Sequence, residues 1–299
     1  MISQLCELLG VSKQAYFKRD EDRILSHAAM ESFALEYAAG IRKLDPGIGM
    51  MKLWYMYQDK FRGERDILGR DIFVDLLANA GMKVRLKVRK PKTTDSTHGL
   101  PVYPDLRINF IPTAPNQLWV SDITYIEIWS DDESSYSFCY LSLILDGYTE
   151  EIVGWSLGDS LETEWPMRAL RMALPRVEGA EHALIHHSDR GVQYASYAYT
   201  ELLKTNRIKI SMTESGDPRD NPQAERINNT MKNELLKGKT FHSKDEAEYA
   251  IGQAIDFYNN MRPHMSVDMK TPIKAAKMEG TIKKRWKSHR ENAILGTRN

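Results

Sequence analysis

Cysteine is scarce in this chain, which has only Cys6 and Cys139 among its 299 residues. Two distant cysteines provide neither a disulfide framework nor a cysteine zinc site. Long apolar runs are also missing, since none approaches the ~20 residues that span a membrane. The first residues lack the charged start and apolar centre of a signal peptide. We therefore expect a cytoplasmic protein without a membrane partner.

Net charge is zero, because 41 Lys and Arg residues balance 41 Asp and Glu residues. The charges are nevertheless unevenly distributed along the chain. Residues 1–115 carry 18 basic and 14 acidic side chains, residues 116–225 carry 8 and 19, and residues 226–299 carry 15 and 8. An acidic centre between basic ends fits a metal-binding core with flanks that bind a polyanion. A chance fluctuation among solvated surfaces explains the pattern equally well.

The composition otherwise describes an ordinary globular protein, with 42% hydrophobic and 27% charged residues, and the length predicts two domains.

The pattern of residues 1–96 predicts a helical, DNA-binding region. Two short helices within residues 1–19, joined by a glycine turn, resemble a helix-turn-helix. The second helix would then present Lys13, Lys18 and Arg19 to DNA. An ordinary helical hairpin is the alternative explanation.

Further helices are predicted over residues 21–41, 50–60 and 72–80. A basic run without any acid follows, made up of Lys83, Arg85, Lys87, Arg89, Lys90 and Lys92. Beside helices, such a run favours contact with DNA phosphates over a merely solvated surface. Residues 97–115, rich in proline and threonine, predict a linker.

Residues 116–280 change to a pattern of alternating strands and helices. Strands are predicted over 118–129, 136–145, 152–157, 183–187 and 208–212. Helices are predicted over 162–174, 193–204, from 221 onward, and 244–260. Three antiparallel strands followed by alternating helices and strands indicate an α/β fold with a mixed sheet.

Three acidic residues occupy informative positions in this pattern. Asp122 lies inside an apolar strand, and Asp189 follows a short strand. Glu225 falls in the first turn of a helix that begins with Asn221 as N-cap and Pro222 in the first turn. Each acid alone is typical of a turn or a helix cap. Together they indicate a site for Mg2+, with Mn2+ as a substitute, that performs phosphoryl transfer with two metal ions.

The same helix carries further polar residues that bear on this site. Asn229 and Lys232 follow Glu225 by four and seven residues, so all three lie on one helix face. An amide and an ammonium beside a carboxylate make a poor core face. They suit a metal ion and a phosphate instead.

Three segments closely match a known protein family. They are Trp119–Ile126, His187–Tyr194 and Asp220–Glu225, and 35 residues separate Asp189 from Glu225. The set resembles the integrase-type DDE core of bacterial insertion-sequence transposases, in particular the second-reading-frame product of the insertion-sequence-three family. The Tyr258–His264 segment also resembles a motif of that family.

The resemblance implies an RNase H-like fold with a mixed five-stranded sheet and flanking helices, preceded by an all-α region. It implies metal-dependent DNA cleavage and strand transfer, with Asp122, Asp189 and Glu225 as catalytic metal ligands. Lys232 would hold phosphates of the transposon end, with Asn229 and Arg190 as further DNA contacts.

Expected partners are double-stranded DNA at the element ends and target, a first-frame product or a fusion to it, and further copies of this chain. Nucleoid association follows from these partners.

Two other functions stay open: a DNA-binding protein that has lost transposition, and a nuclease for RNA–DNA hybrids.

Several other residues have open roles. His186 is expected to be a satisfied, partly buried side chain, although a role of His186 and His187 in positioning substrate is the alternative. His264 could approach the site or cap the last helix. Residues 281–299 form a basic tail that either contacts DNA or is solvated. No zinc is expected, because the paired His and Cys motif of retroviral integrases is missing.

Overall fold

The computed structural model describes residues 6, 10, 12, 21–64, 67–84, 99–178, 183–214 and 221–296. The chain divides into two compact units. The first comprises residues 1–41 and 49–83, and the second comprises residues 42–48 and 84–299. The second unit therefore begins before the predicted linker and also includes a short segment from the helical region.

The observed ends of three helices are close to the predicted ones. They are α1 (Glu21–Leu44), α2 (Met50–Lys60) and α3 (Arg70–Asn79). In the first unit, the buried Tyr57 ring packs against four aromatic rings at centroid distances of 5.0 to 6.5 Å: Phe33, Tyr37, Phe61 and Phe73. One of these pairings, Tyr57 with Phe61, follows from the four-residue spacing at the end of α2, and the same spacing in α1 places Phe33 and Tyr37 on one helix face.

The second unit is built on a five-stranded mixed sheet in the order β3-β2-β1-β4-β5. The strands are β1 (Leu118–Trp129), β2 (Tyr136–Asp146), β3 (Ile152–Gly158), β4 (Ile185–Ser188) and β5 (Lys209–Met212). β2 is antiparallel to both β1 and β3, whereas β4 is parallel to both β1 and β5. This is the RNase H-like arrangement, so the predicted fold class is confirmed.

Seven described helices accompany the sheet. They are α4 (Glu164–Ala173), α5 (Val192–Ala195), α6 (Tyr197–Thr205), α7 (Pro222–Thr230), α8 (Lys244–Asn260), α9 (Pro272–Ala275) and α10 (His289–Ile294). Trp119 and Ile144 form a buried core with residues of α4 and α6, including Leu170, Tyr199 and Leu203.

The single helix predicted over residues 193–204 is wrong, because the structure divides it into α5 and α6. Ser196 between them has an extended backbone, with φ −60° and ψ 148°. Its hydroxyl accepts a hydrogen bond from the Tyr199 N–H and so caps α6. The break lets the Tyr194 and Tyr199 rings meet edge to face at 5.3 Å.

The helix α7 continues into one π-helical segment, Met231–Leu235. The Gly47 N–H donates a hydrogen bond of 2.9 Å to the Glu234 carbonyl. A Cβ at Gly47 would lie 2.3 Å from the Glu234 Cα, so only glycine permits this approach. Residues 42–48 are thereby joined to the helix that carries Glu225.

Two segments predicted to be a linker and a tail are packed where the structure describes them. In the predicted linker, the Leu106 N–H donates to the Ser211 hydroxyl on β5 at 2.9 Å. In the predicted tail, Ile282 is buried against Tyr148. The Arg285 guanidinium binds the Asp268 carboxylate at 2.6 Å. Part of the charge of this basic segment is therefore neutralised within the fold.

Candidate active site

Asp122 and Asp189 lie on neighbouring parallel strands. The register of β1 and β4 pairs Val120 with His187. Asp122 is two residues beyond Val120 in β1, and Asp189 is two residues beyond His187, directly after the end of β4. The shared register therefore brings both aspartates to the same end of the β1–β4 pair.

The Asp122 carboxylate is held from two sides. Its Oδ1 accepts a hydrogen bond from the Ile123 N–H at 2.9 Å, and its Oδ2 accepts one from the Asn228 amide at 2.8 Å. Asn228 lies three residues after Glu225 in α7, so both occupy the same side of that helix. The contact places the helix turn that carries Glu225 next to Asp122.

Asn228 is a site residue that the sequence reasoning missed. The predicted helix stripe contains Asn229, whose side chain is exposed and accepts a hydrogen bond from Asn233 at 3.4 Å. Three- and four-residue spacings both fall on the face of Glu225, so the spacing alone does not distinguish the two asparagines. Among the described contacts, Asn228 reaches Asp122, whereas Asn229 pairs with Asn233.

Asn221 begins α7 as predicted, but the predicted side-chain cap is wrong. Its side chain makes no capping hydrogen bond to the helix. The Asn221 amide instead donates to the Ser121 carbonyl at 3.0 Å, and the Gln223 amide donates to the Gly147 carbonyl at 3.1 Å. The first bond attaches the start of α7 to β1 beside Asp122, and the second attaches it to the turn after β2.

The Asp189 carboxylate is oriented by the turn that follows it. Its Oδ1 accepts a hydrogen bond from the Gly191 N–H at 2.9 Å. A Cβ at Gly191 would lie 3.0 Å from that oxygen, so the turn leaves little room for a side chain. The Arg190 guanidinium Nε donates to the Thr213 carbonyl at 2.5 Å, which joins this turn to the end of β5.

Lys232 extends the site along β1. Its ammonium lies 3.3 Å from the Thr124 hydroxyl and 3.8 Å from the centroid of the Tyr125 ring. A cation over a ring face is held electrostatically. The positive charge is therefore fixed two to three residues beyond Asp122 on the same strand.

The two histidines before Asp189 are structural. His186 is buried, and its Nε2 lies 2.8 Å from the Ser121 hydroxyl and 2.9 Å from the Tyr199 hydroxyl. Burial lowers the pKa of His186 to about 3, so the ring is neutral at physiological pH. The prediction of a satisfied side chain is confirmed, and the burial is more complete than expected. His187 is also buried, with its Nδ1 2.9 Å from the Ser211 hydroxyl.

His264 belongs to a buried cluster around Arg262. Its ring meets the Tyr258 ring edge to face at 4.5 Å, and its Nε2 lies 3.0 Å from the Arg262 guanidinium. Arg262 binds both carboxylate oxygens of Glu234 at 2.7 and 2.9 Å and lies 3.5 Å from the Asp45 carboxylate. This cluster supports the helix that carries Glu225, through Glu234 and residues 42–48.

Among the described residues, no three His, Cys, Asp or Glu side chains form a group that could hold one metal ion. The chemistry of the donors nevertheless fits a divalent ion, because carboxylates are its preferred ligands. The amide of Asn228, which donates to the Asp122 carboxylate, also has a buried Oδ1 without a hydrogen-bond partner among the described residues. Polar atoms of this kind are typical of a site that holds an ion or ordered water.

Most of the predicted DNA contacts in the N-terminal region lie outside the described residues: Lys13, Lys18, Arg19, Arg85, Lys87, Arg89 and Lys90.

Each described helix is too short or too polar to cross a lipid bilayer.

Two family profiles, each described as an integrase core domain, match residues 112–218 and 206–272. The chain is 33% identical to the insertion element IS600 uncharacterized 31 kDa protein of Shigella sonnei, covering 87% of this chain and 93% of that protein. It is 34% identical to the transposase for insertion sequence element IS629 of the same organism, covering 72% of this chain and 68% of that protein.

The chain belongs to the insertion-sequence transposases with an integrase-type DDE core. This transposase also matches the catalytic core domain of the HTLV-2 integrase, which was solved in complex with magnesium. That match has 19% identity and a TM-score of 0.39 and covers 55% of this chain and 97% of that chain. The integrase core match and the transposase relatives show an enzyme of the transposase and integrase type, as the sequence motifs predict, and its five-stranded mixed sheet has the RNase H-like order.

Proposed function

We propose that this transposase cuts DNA at the ends of its element and joins those ends to target DNA. In this proposal, Asp122, Asp189 and Glu225 hold Mg2+, or Mn2+ in its place. The supporting observation is the hydrogen bond from Asn228 to Asp122, because it connects α7, one turn after Glu225, to the end of the β1–β4 pair where both aspartates lie.

The proposed reaction is a phosphodiester exchange without a covalent protein intermediate. An oxygen of water, or of a DNA 3′-hydroxyl, bonds to phosphorus while the bond from phosphorus to the leaving 3′-oxygen breaks. The proton of the nucleophile passes to solvent, and the leaving 3′-oxygen takes a proton from solvent to become a hydroxyl. A divalent ion on the carboxylates would stabilise charge on the phosphate and lower the pKa of the attacking group.

The protein's own residues orient the components of this reaction. The Ile123 N–H and the Asn228 amide fix the Asp122 carboxylate, and the Gly191 N–H fixes that of Asp189. Fixed carboxylates lower the cost of ordering the site when DNA arrives. The Lys232 ammonium supplies positive charge for a phosphate of the element end.

DNA binding extends beyond this site in the proposal. Arg190 and Asn229 contact the DNA strand near the carboxylates. The basic residues of the N-terminal region bind phosphates of the duplex. Joining two ends requires several copies of the chain on DNA, together with the first-frame product or a fusion to it. Association with the nucleoid follows from this DNA binding.

The proposal is tested with purified protein on a duplex that carries an end of the element. Asp122→Asn and Asp189→Asn should each lower Mg2+-dependent cleavage at least a hundredfold, because each removes a charged ligand. Glu201→Gln, an exposed glutamate on α6, is the matched control and should cleave like wild type. Cleavage at the wild-type rate by both aspartate variants, or in excess EDTA, would contradict the proposal.

A further inference from the structure

The free end of the β1–β2 hairpin carries a continuous row of aromatic rings, called the ring surface below: Tyr125, Phe138, Tyr136 and Trp129. Successive ring centroids along this row are 5.0, 5.3 and 4.8 Å apart. The strand register explains the row, because Trp129 pairs with Tyr136 and alternate residues of paired strands share one face. The rings therefore form one connected surface.

The ring surface is exposed, whereas the other face of the hairpin at the same level is buried. Tyr125 and Phe138 are each 39% exposed, and Tyr136 is 50% exposed. Ile126 and Cys139, which pair directly on the opposite face, are each 5% exposed. Contiguous exposed apolar side chains commonly mark a binding site. The ring surface is therefore a candidate docking surface.

The charge of the hairpin indicates what kind of partner this surface binds. Residues 118–146 contain six Asp or Glu residues and no Lys, Arg or His. Glu127 lies on the face of the rings, opposite Phe138, and the three acids of the turn, residues 131–133, are exposed. This charge repels DNA phosphates, whereas it attracts ammonium and guanidinium groups, which also bind ring faces. A basic polypeptide fits the surface better than DNA does.

One end of the ring surface already holds a cation, since the Lys232 ammonium lies 3.8 Å from the centroid of the Tyr125 ring. The chain itself contains a segment with several more cations. Residues 83–92 include six Lys or Arg residues and no acid, and basic residues alternate with valine or leucine from Lys83 to Arg89. When extended, a segment with this alternation presents its cations on one face.

We propose that the ring surface and its acidic turn bind this basic segment, residues 83–92, of a second copy of the chain. The contact goes beyond the proposed strand transfer, because it needs neither a metal ion nor DNA. Several copies act together in the proposed reaction, so the basic segment of one copy can lie on a hairpin while that of another lies on DNA. The hairpin would then hold neighbouring copies together.

The first test measures binding of a fluorescein-labelled peptide with the sequence of residues 83–92 to the full-length chain. Fluorescence anisotropy is recorded without metal or DNA. Tyr136→Thr combined with Phe138→Thr should weaken peptide binding about tenfold, because two ring faces are lost while threonine preserves the strand. The control, Tyr197→Ala combined with Tyr249→Ala, removes two rings that are each 73% exposed and should bind like wild type.

A second variant tests the charge while keeping the rings. Glu127→Gln combined with Asp131→Asn should also weaken peptide binding, and its difference from wild type should shrink as salt is added. Circular dichroism checks that both hairpin variants melt like wild type. If the threonine variant does not fold, the charge variant alone decides the outcome.

Peptide affinities of the hairpin variants equal to that of wild type would overturn the inference, as would the lack of saturable peptide binding by wild type. A short oligothymidine strand is titrated in parallel. If the threonine variant loses affinity for oligothymidine and keeps its affinity for the peptide, the surface binds nucleic acid and the inference is wrong. Cleavage assays of the aspartate variants test the proposed function separately, so the two failures are distinguishable.

Discussion

At the scale of single residues, the site depends on side chains that fix other side chains. Asp122 accepts two hydrogen bonds and Asp189 accepts one from the turn that follows it. Arg262 plays the corresponding role at the far end of the Glu225 helix, where its buried guanidinium faces two carboxylates. Charges buried in this way are costly unless paired, so the arginine and its acids form one unit.

Arg262→Ala is expected to destabilise the protein by about 3 to 5 kcal/mol, because it leaves Asp45 and Glu234 without their buried cation. The free energy of unfolding is measured by urea denaturation. Arg168→Ala is the control, since Arg168 pairs with Glu164 on the surface and should lose at most about 1 kcal/mol. Equal losses of unfolding free energy in the two variants would show that the Arg262 cluster does not stabilise the fold around α7.

At the scale of elements, the helix α7 is positioned by its attachment to the sheet. Asn221 donates to the backbone of β1, and Gln223 donates to the turn after β2. The starting position of the helix relative to Asp122 is thus set by two bonds to other parts of the fold, one of them from an asparagine that could have served as the cap. Activity should depend on this attachment and not on capping.

Asn221→Ser tests this distinction, because serine caps helices about as well as asparagine but is too short to replace the amide bond to Ser121. Strand cleavage by Asn221→Ser should fall about tenfold or more, as for Asn221→Ala. The reverse exchange at a true cap, Ser243→Asn at the start of α8, should leave cleavage unchanged. Full cleavage by Asn221→Ser would mean that capping is its role after all.

Local sequence patterns were sufficient to predict the main elements. The predicted bounds of β1 and α8 are those observed, because apolar runs and caps are local signals. The choice of Asn228 over Asn229, and the bond from Asn221 to β1, depend on how a helix is seated on a distant strand. The contact of Gly47 with Glu234 joins residues far apart in sequence, and no local pattern signals it.

At the scale of the whole molecule, charge is divided between an acidic centre and basic flanks. The acidic centre contains the three candidate ligands. Part of the basic charge after residue 280 is ion-paired within the fold, as Arg285 with Asp268 and Lys284 with Glu291 show. The basic run after α3 is therefore the stronger candidate for phosphate contacts along the duplex.

Replacing four residues of this run with glutamine should weaken DNA binding and flatten its dependence on salt. If each residue contacts one phosphate, the slope of log K against log salt should fall in magnitude by about 3 to 4. The control replaces four exposed basic residues of the second unit and should leave the slope nearly unchanged. Binding is measured by fluorescence anisotropy between 50 and 200 mM salt, the range in which counterion release is large. The test residues are Arg85, Lys87, Arg89 and Lys90, and the control residues are Arg168, Arg171, Lys204 and Lys209.

Glu225 completes the proposed set of catalytic carboxylates, so transposition of the element should depend on its charge. The gene is placed on a plasmid within its native flanking DNA, and PCR detects the junction formed when the two element ends join. Wild type and Glu201→Gln should both yield the junction, whereas Glu225→Gln should yield none while reaching the same protein level. A junction of wild-type abundance from Glu225→Gln would contradict the assignment of the active site.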